Sequence, residues 1–280
     1  MTHADGYKPI IIYIGGYGRS GSSILEAALH TIIKQSSSLG EVAVILDSMQ
    51  DTRLGCSCGD SHYLCTPWSQ VQSFLHDKEA ANKFQYYSKK ENIGFKFSGS
   101  FAEDYGKFWM KIFRMRTKKD VIIDSSKTSY RYCNRAKILA ESGAFDVFFI
   151  HISRDILGIL RSRAKGTNKE LFGIQDKSLF IVGFLKKLMW PIITLVSQIA
   201  ANYCSWAIYN SEKISGRMRI DFQSIRISPL DAAKLVASEI EKQLKRKLDV
   251  DYGYIGPIVS GHSAEGNRSI RKLSKARVSP

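Results

Sequence analysis

The chain has 280 residues, 44% hydrophobic and 24% charged, the composition of an ordinary globular protein with ample core. A formal net charge of +15 selects anionic partners such as nucleotides, acidic or sulfated glycans, or a membrane surface. Nucleic acid is disfavoured, because there is no zinc-finger spacing, RNA-recognition signature or aromatic-interleaved basic stripe.

At the amino terminus, Lys8 precedes only the short apolar run Ile10 to Ile14, too short for a secretory core. The five cysteines (56, 58, 65, 133 and 204) are odd in number and unevenly placed. That pattern predicts free thiols in a reducing compartment, and with it a cytoplasmic location. No repeat or proline-rich linker divides the chain, so one domain is expected over 1–280, with its core at about 8–270.

Ile10 to Ile14 reads as a buried strand, since β-branched residues run without polar alternation. "GGYGRSGSS" follows. Gly15, Gly16, Gly18 and Gly21 permit a tightly wrapped loop, and Ser22 or Ser23 is expected to cap the next helix. Free amides at a helix start, together with its dipole, favour a phosphate or sulfate. The stretch nearly matches a P-loop, but serine stands where the lysine of G-x-x-x-x-G-K-[ST] belongs. Arg19 is the strong cation in the loop.

Further strands are expected at Val121 to Ile123, Val147 to Ile152 and Arg217 to Asp221, with helices at Asn134 to Glu141 and Leu230 to Leu244. Strands alternating with helices predict an α/β fold, a P-loop-like parallel sheet covered on both faces. Each strand ends in polar residues: the glycine loop, "DSSK", "SRD" and "DFQS". In such sheets ligands sit beyond the carboxyl ends of the strands. After Val147 to Ile152, Arg154 and Ser162 lie eight residues apart on a strand end and the following helix, a spacing able to grip one phosphate from two sides.

The pair "GGYGRSGSS" and "SRDILGILRS" resembles the sulfotransferase family, which uses 3′-phosphoadenosine-5′-phosphosulfate. "LGCSCGDSHYLCTPW", "DSSKTSYR" and "GHSAEGNRSI" resemble further segments of its bacterial, carbohydrate-sulfotransferase-like branch, so the matches run from Ile11 to Arg268. The resemblance implies that Gly18, Arg19, Ser20, Gly21, Ser22 and Ser23 hold the 5′-phosphosulfate. It implies that Arg154 and Ser162 hold the 3′-phosphate, and that Gly266, Asn267 and Arg268 fold over the nucleotide. Related tails carry an arginine where Ile270 stands, a role that Arg268 or Arg271 could take. Beyond Lys272 disorder is expected.

Sulfuryl transfer depends chiefly on positioning and charge stabilisation, and the lower charge of a sulfuryl group removes the need for a metal. Arg19 and Lys127 are the candidates for neutralising charge on the leaving phosphate and the sulfuryl group. Glu41 is the candidate general base, in a place that resembles the catalytic glutamate of carbohydrate sulfotransferases. Its rivals are Asp124 at a strand end and the histidines; His62 and His76 cannot be placed, and His151 is expected to pack within its strand. Cys56, Cys58, His62 and Cys65 form a cluster with metal-like character, but their spacing departs from the C-x2–4-C pairs of structural zinc, so a packed loop with free thiols is expected rather than zinc or a disulfide.

The most apolar stretch, Leu179 to Tyr209, is interrupted by Lys186 and Lys187 and contains Pro191. It is expected to form a buried helix pair; the competing reading is a lid whose lysines touch anionic membrane. The acceptor is expected to be a glycan or small-molecule hydroxyl, and the oligomeric state is left open. Two other functions compete: a P-loop nucleotide kinase with a degenerate loop, and a non-catalytic anion- or membrane-binding module.

Overall fold

The computed structural model describes residues 8–42, 56, 58, 64–128, 132–162, 177–259 and 261, with side chains of 177–188 excepted. Five parallel strands form one sheet: β1 (Ile10–Gly15), β2 (Ser36–Gly40), β3 (Val121–Asp124), β4 (Asp146–Ser153) and β5 (Gly216–Asp221), in the order β2-β3-β1-β4-β5. This is the expected α/β architecture, a parallel sheet with helices on both faces.

The two faces follow from the alternation of side chains along β1. Ile10, Ile12 and Ile14 enter one core with helices α1 (Ser22–Ile32) and α9 (Pro229–Leu244). Ile11 and Tyr13 enter the other, with α2 (Thr66–His76), α3 (Lys78–Lys90), α4 (Gly99–Arg116) and α5 (Arg135–Glu141). That second core is strongly aromatic: Phe84, Tyr87, Tyr105, Trp109 and Phe113 pack ring against ring.

β2 is the strand that apolar patterning misses. Ser36, Ser37 and Ser38 are buried, and the segment pairs with β3 in the register Ser36↔Val121. Ser36 is satisfied by donating to the Ile33 carbonyl, and Ser38 by donating to Glu26. A serine-rich strand is stable inside because its hydroxyls have partners.

Register brings Gly40 and Tyr13 beside Asp124, Gly15 beside His151, and Ser153 beside Asp221, so all the polar loops leave one edge. The chain leaves β1 towards β2 and leaves β4 towards β5, which makes the β1–β4 gap the topological switch point.

Two expectations fail here. Cys133, just before α5, and Cys204 form a disulfide with Cα atoms 5.1 Å apart, across a separation of 71 residues. Spacing in sequence does not display which distant cysteines the fold apposes. The expected buried helix pair is instead one helix, α7 (Lys177–Tyr209), with Pro191 inside it. Its buried face carries Thr194, Gln198, Ala201, Cys204 and Ser205, while Ile192, Val196, Ile199, Tyr203 and Trp206 are exposed. Among the described residues no helix is long and apolar enough to cross a membrane.

Candidate functional site

The loop after β1 is wrapped by necessity. Gly16 has φ 124, and a Cβ there would stand 2.6 Å from the Ile152 carbonyl oxygen, so only glycine lets the loop pass the end of β4. Gly21, at φ 90, is itself the N-cap of α1, and no side chain caps that helix. The expected cap by Ser22 or Ser23 is therefore replaced: a left-handed glycine makes the turn, and no serine side chain occupies the space above the first-turn amides. An uncapped helix start offers those amides to an anion. Ser20 adds a hydroxyl that is buried and has no hydrogen-bond partner among the described residues, a group that an anionic oxygen would satisfy. Arg19 has φ 69, uncommon for a residue with a side chain, and its side chain is exposed.

Arg154 lies just beyond β4, across the switch point. One Nη donates to the Arg19 carbonyl and the other to the Gly158 carbonyl at 3.1 Å. The guanidinium stacks 3.8 Å from the centroid of Phe222, in α8 (Phe222–Ile227), and Gln198 of α7 donates to the Arg154 carbonyl at 3.0 Å. Burial lowers its pKa, a shift opposed by Asp155, and Nε has no partner among the described residues. Arg154 and Ser162, which lies in helix α6 (described over 156–162), line the same cavity of about 460 Å³. The expected pair is thus brought together. Arg161 and Arg226 join them, with Asp155 the one carboxylate in the lining. Sequence reasoning missed both arginines; Arg226 belongs to the segment following "DFQS", and Arg161 directly precedes Ser162.

On the other side of β1, Glu41 follows β2 and Lys127 follows β3, and Lys127 Nζ donates to Glu41 Oε1. Lys127 has φ 68; with Arg19, the site thus holds two of the three non-glycine residues in the left-handed region among the described residues. Its backbone is pinned to the glycine loop's base. The Tyr13 hydroxyl donates to the Lys127 carbonyl at 2.6 Å, Thr128 N–H to the Gly16 carbonyl at 3.2 Å, and Gly16 N–H to Thr128 Oγ1 at 2.8 Å. Burial first, then Asp124, raises the Tyr13 pKa well above its usual value, so the phenol stays a donor.

Behind this pair lies a carboxylate that sequence reasoning did not single out. Glu26 of α1 is buried and accepts from Ser38 Oγ, from Gly40 N–H at 2.6 Å and from Ser125 Oγ at 2.6 Å. One side chain therefore fixes the ends of both strands that deliver Glu41 and Lys127. The signal available was a glutamate between Leu25 and Ala27 on an otherwise apolar helix face.

Asp124, a rival base, is excluded by its surroundings. It is buried, accepts from Arg135 Nε at 3.1 Å and Nη2 at 3.0 Å, and also accepts from Ser126 N–H at 2.9 Å. Arg135 in turn binds Glu91 at 2.8 Å and stacks 3.9 Å from Trp109, making the whole group an internal support. Burial raises Glu91, with Arg135 opposing. His151 packs within β4 as expected, its pKa lowered by burial and then by Arg219. His76 is exposed at the end of α2. His62 and the Gly266, Asn267 and Arg268 segment lie outside the described residues.

Cys56, Cys58 and Cys65 take part in no disulfide, and their sulfurs lie within 4.8 Å of one another. Burial pushes Cys56 up to about 11 and raises Cys65.

Fold and site together define a parallel α/β protein with a glycine-rich loop and a cationic cavity at its switch point. No family model and no curated protein matches the sequence. Among solved structures, the chain is similar to a sulfotransferase domain from the curacin biosynthetic pathway, at 14% identity and a TM-score of 0.45 over 96% of this chain and 90% of that one. So distant a likeness assigns no residue roles; those rest on the geometry.

Proposed function

We propose that the chain is a sulfotransferase that moves a sulfuryl group from 3′-phosphoadenosine-5′-phosphosulfate to an acceptor hydroxyl. The observation that carries this reading is the hydrogen bond from Arg154 to the Arg19 carbonyl. It joins the glycine loop to a cavity lined by Arg154, Arg161, Ser162 and Arg226. Two adjoining anion sites suit a ligand with two separate anionic groups, and a nucleoside triphosphate uses only the first. A kinase would also want the lysine that Ser22 replaces.

In this assignment Ser20, the first-turn amides at Ser22 and Ser23, and Arg19 hold the 5′ end, while Arg154 and Ser162 hold the 3′-phosphate. The bound donor supplies a sulfuryl group on a phosphate leaving group. Glu41 takes the proton from the acceptor hydroxyl. Lys127 keeps Glu41 in place and presents a positive charge beside the reacting groups. Glu26 holds both from behind. None of these roles calls on a metal ion.

The acceptor hydroxyl is assigned to a carbohydrate or small metabolite, and α7 favours an amphiphilic form presented at an anionic membrane surface. The buried face of α7 holds the site: Gln198 supports Arg154, and Ser205 bonds Thr128. Its outer face is apolar, with Tyr203 and Trp206 stacked on it, and Lys186 and Lys187 in the same helix. Interfacial aromatics, lysines and a net charge of +15 complement anionic headgroups.

Calorimetric titration with 3′,5′-adenosine diphosphate, against ADP and ATP, tests the reading. Tighter binding of the 3′,5′ isomer is expected; preference for ATP would move the chain to the nucleotide kinases.

A further inference from the structure

Cys56, Cys58 and Cys65 lie outside the cavity and outside the Glu41–Lys127 pair, and the proposed transfer leaves them without a role. Their three sulfurs lie within 4.8 Å of one another. Tetrahedral zinc with bonds of ~2.3 Å to sulfur sets its thiolates ~3.8 Å apart, so a small contraction converts the cluster into a ligand set. Cys65 is already fixed, since it is the N-cap of α2 and its carbonyl accepts from Trp68 N–H at 2.8 Å and Ser69 N–H at 3.0 Å. Cys56 is buried beside it, while Cys58 is exposed.

Charge supplies an independent observation. Arg116, only 8% exposed, donates to the Ser38 carbonyl at 3.3 Å and stacks 4.8 Å from the centroid of Trp68. The guanidinium is also close enough to the three sulfurs to interact with them electrostatically. Three neutral thiols do little for a buried cation. Three thiolates around a divalent ion carry one net negative charge, which the guanidinium neutralises.

We propose that Cys56, Cys58 and Cys65 supply three ligands of a structural site for a thiophilic divalent cation, zinc foremost. Three S–H protons leave as three sulfur–metal bonds form, and no oxidant or reductant is involved. Soft thiolates select zinc over magnesium or calcium. The ion would tie Cys56 and Cys58 to Cys65 at the start of α2.

The test uses full-length protein purified under reducing conditions without added metal. Elemental analysis should find zinc near one equivalent, and zinc should raise the melting temperature of chelator-stripped protein. Cobalt added in its place should give a thiolate charge-transfer band. Cys58→Ser, at an exposed position, should fold yet lose both stoichiometric zinc and the band. Absence of zinc together with no thermal shift on zinc addition would overturn the proposal, as would undiminished binding by Cys58→Ser. A disulfide among the three, found by thiol titration and peptide mapping of the same preparation, would also overturn it.

Discussion

Ser162→Ala and Arg154→Ala separate the two anion sites, because the structure gives these residues different neighbours. Ser162 lines the cavity, whereas Arg154 lines it and also donates to the Arg19 carbonyl in the glycine loop. Losing one hydrogen bond to a charged group costs about 1.5–3 kcal/mol, or ~10- to 150-fold in affinity. Ser162→Ala should therefore weaken 3′,5′-adenosine diphosphate by ~10- to 150-fold and leave adenosine 5′-phosphosulfate, which lacks the 3′-phosphate, almost unchanged. Arg154→Ala should weaken the first ligand at least as much. It should also weaken the second by roughly 10-fold, since a charge-assisted bond supporting the loop is worth about 1.5 kcal/mol at the low end of its range. Calorimetry with both ligands on both variants reads all four numbers. Equal weakening of the two ligands by Ser162→Ala would refute the assignment of the cavity to the 3′-phosphate.

Glu41→Gln should retain nucleotide affinity and lose turnover by about a hundredfold or more, as measured in steady-state kinetics; near-normal turnover would remove Glu41 as base. Glu26→Ala would leave Ser38, Gly40 and Ser125 without their buried acceptor, and at about 1–3 kcal/mol for a buried group so stranded it should lower the melting temperature as well as the rate. A full melting temperature with a lowered rate would mean that it acts on the chemistry alone. Reducing the Cys133–Cys204 bond releases a loop of 71 residues, worth about 4 kcal/mol in the chain-entropy account. A melting temperature indifferent to reductant would show that the bond does not form in solution. Vesicle co-sedimentation should show binding that needs anionic lipid, falls with salt and weakens in Lys186→Glu/Lys187→Glu and in Trp206→Ser; no binding at low salt would leave the α7 face to another partner.

The sheet was legible where hydrophobic period and strand-end chemistry coincide. Ile10 to Ile14, Val121 to Ile123, Val147 to Ile152 and Arg217 to Asp221 all fall on strands, within a residue or two of their bounds. β2 was not, because its serines are stabilised by Glu26 and Ile33 rather than by apolar burial. Arg154 and Ser162 could be paired from spacing along one strand-helix unit, and they do share a cavity. Arg226 reaches the same cavity from another strand end, a juxtaposition that only sheet order creates. α7 misleads for a related reason. Its polar residues turn inward to serve Arg154 and Thr128, so the apolar residues face out and the usual inference from hydropathy reverses. The Cys133–Cys204 pair likewise depends on α7 crossing the start of α5.

The most direct measurement is group transfer itself. The protein is incubated with donor carrying an isotopic label in the sulfuryl group, a panel of carbohydrate, small-metabolite and lipid-linked hydroxyl acceptors, and in parallel with γ-labelled ATP. Label moving from the donor to an acceptor hydroxyl, with one 3′,5′-adenosine diphosphate released per transfer, is the predicted result. Label moving from ATP, with none from the sulfuryl donor, would contradict it.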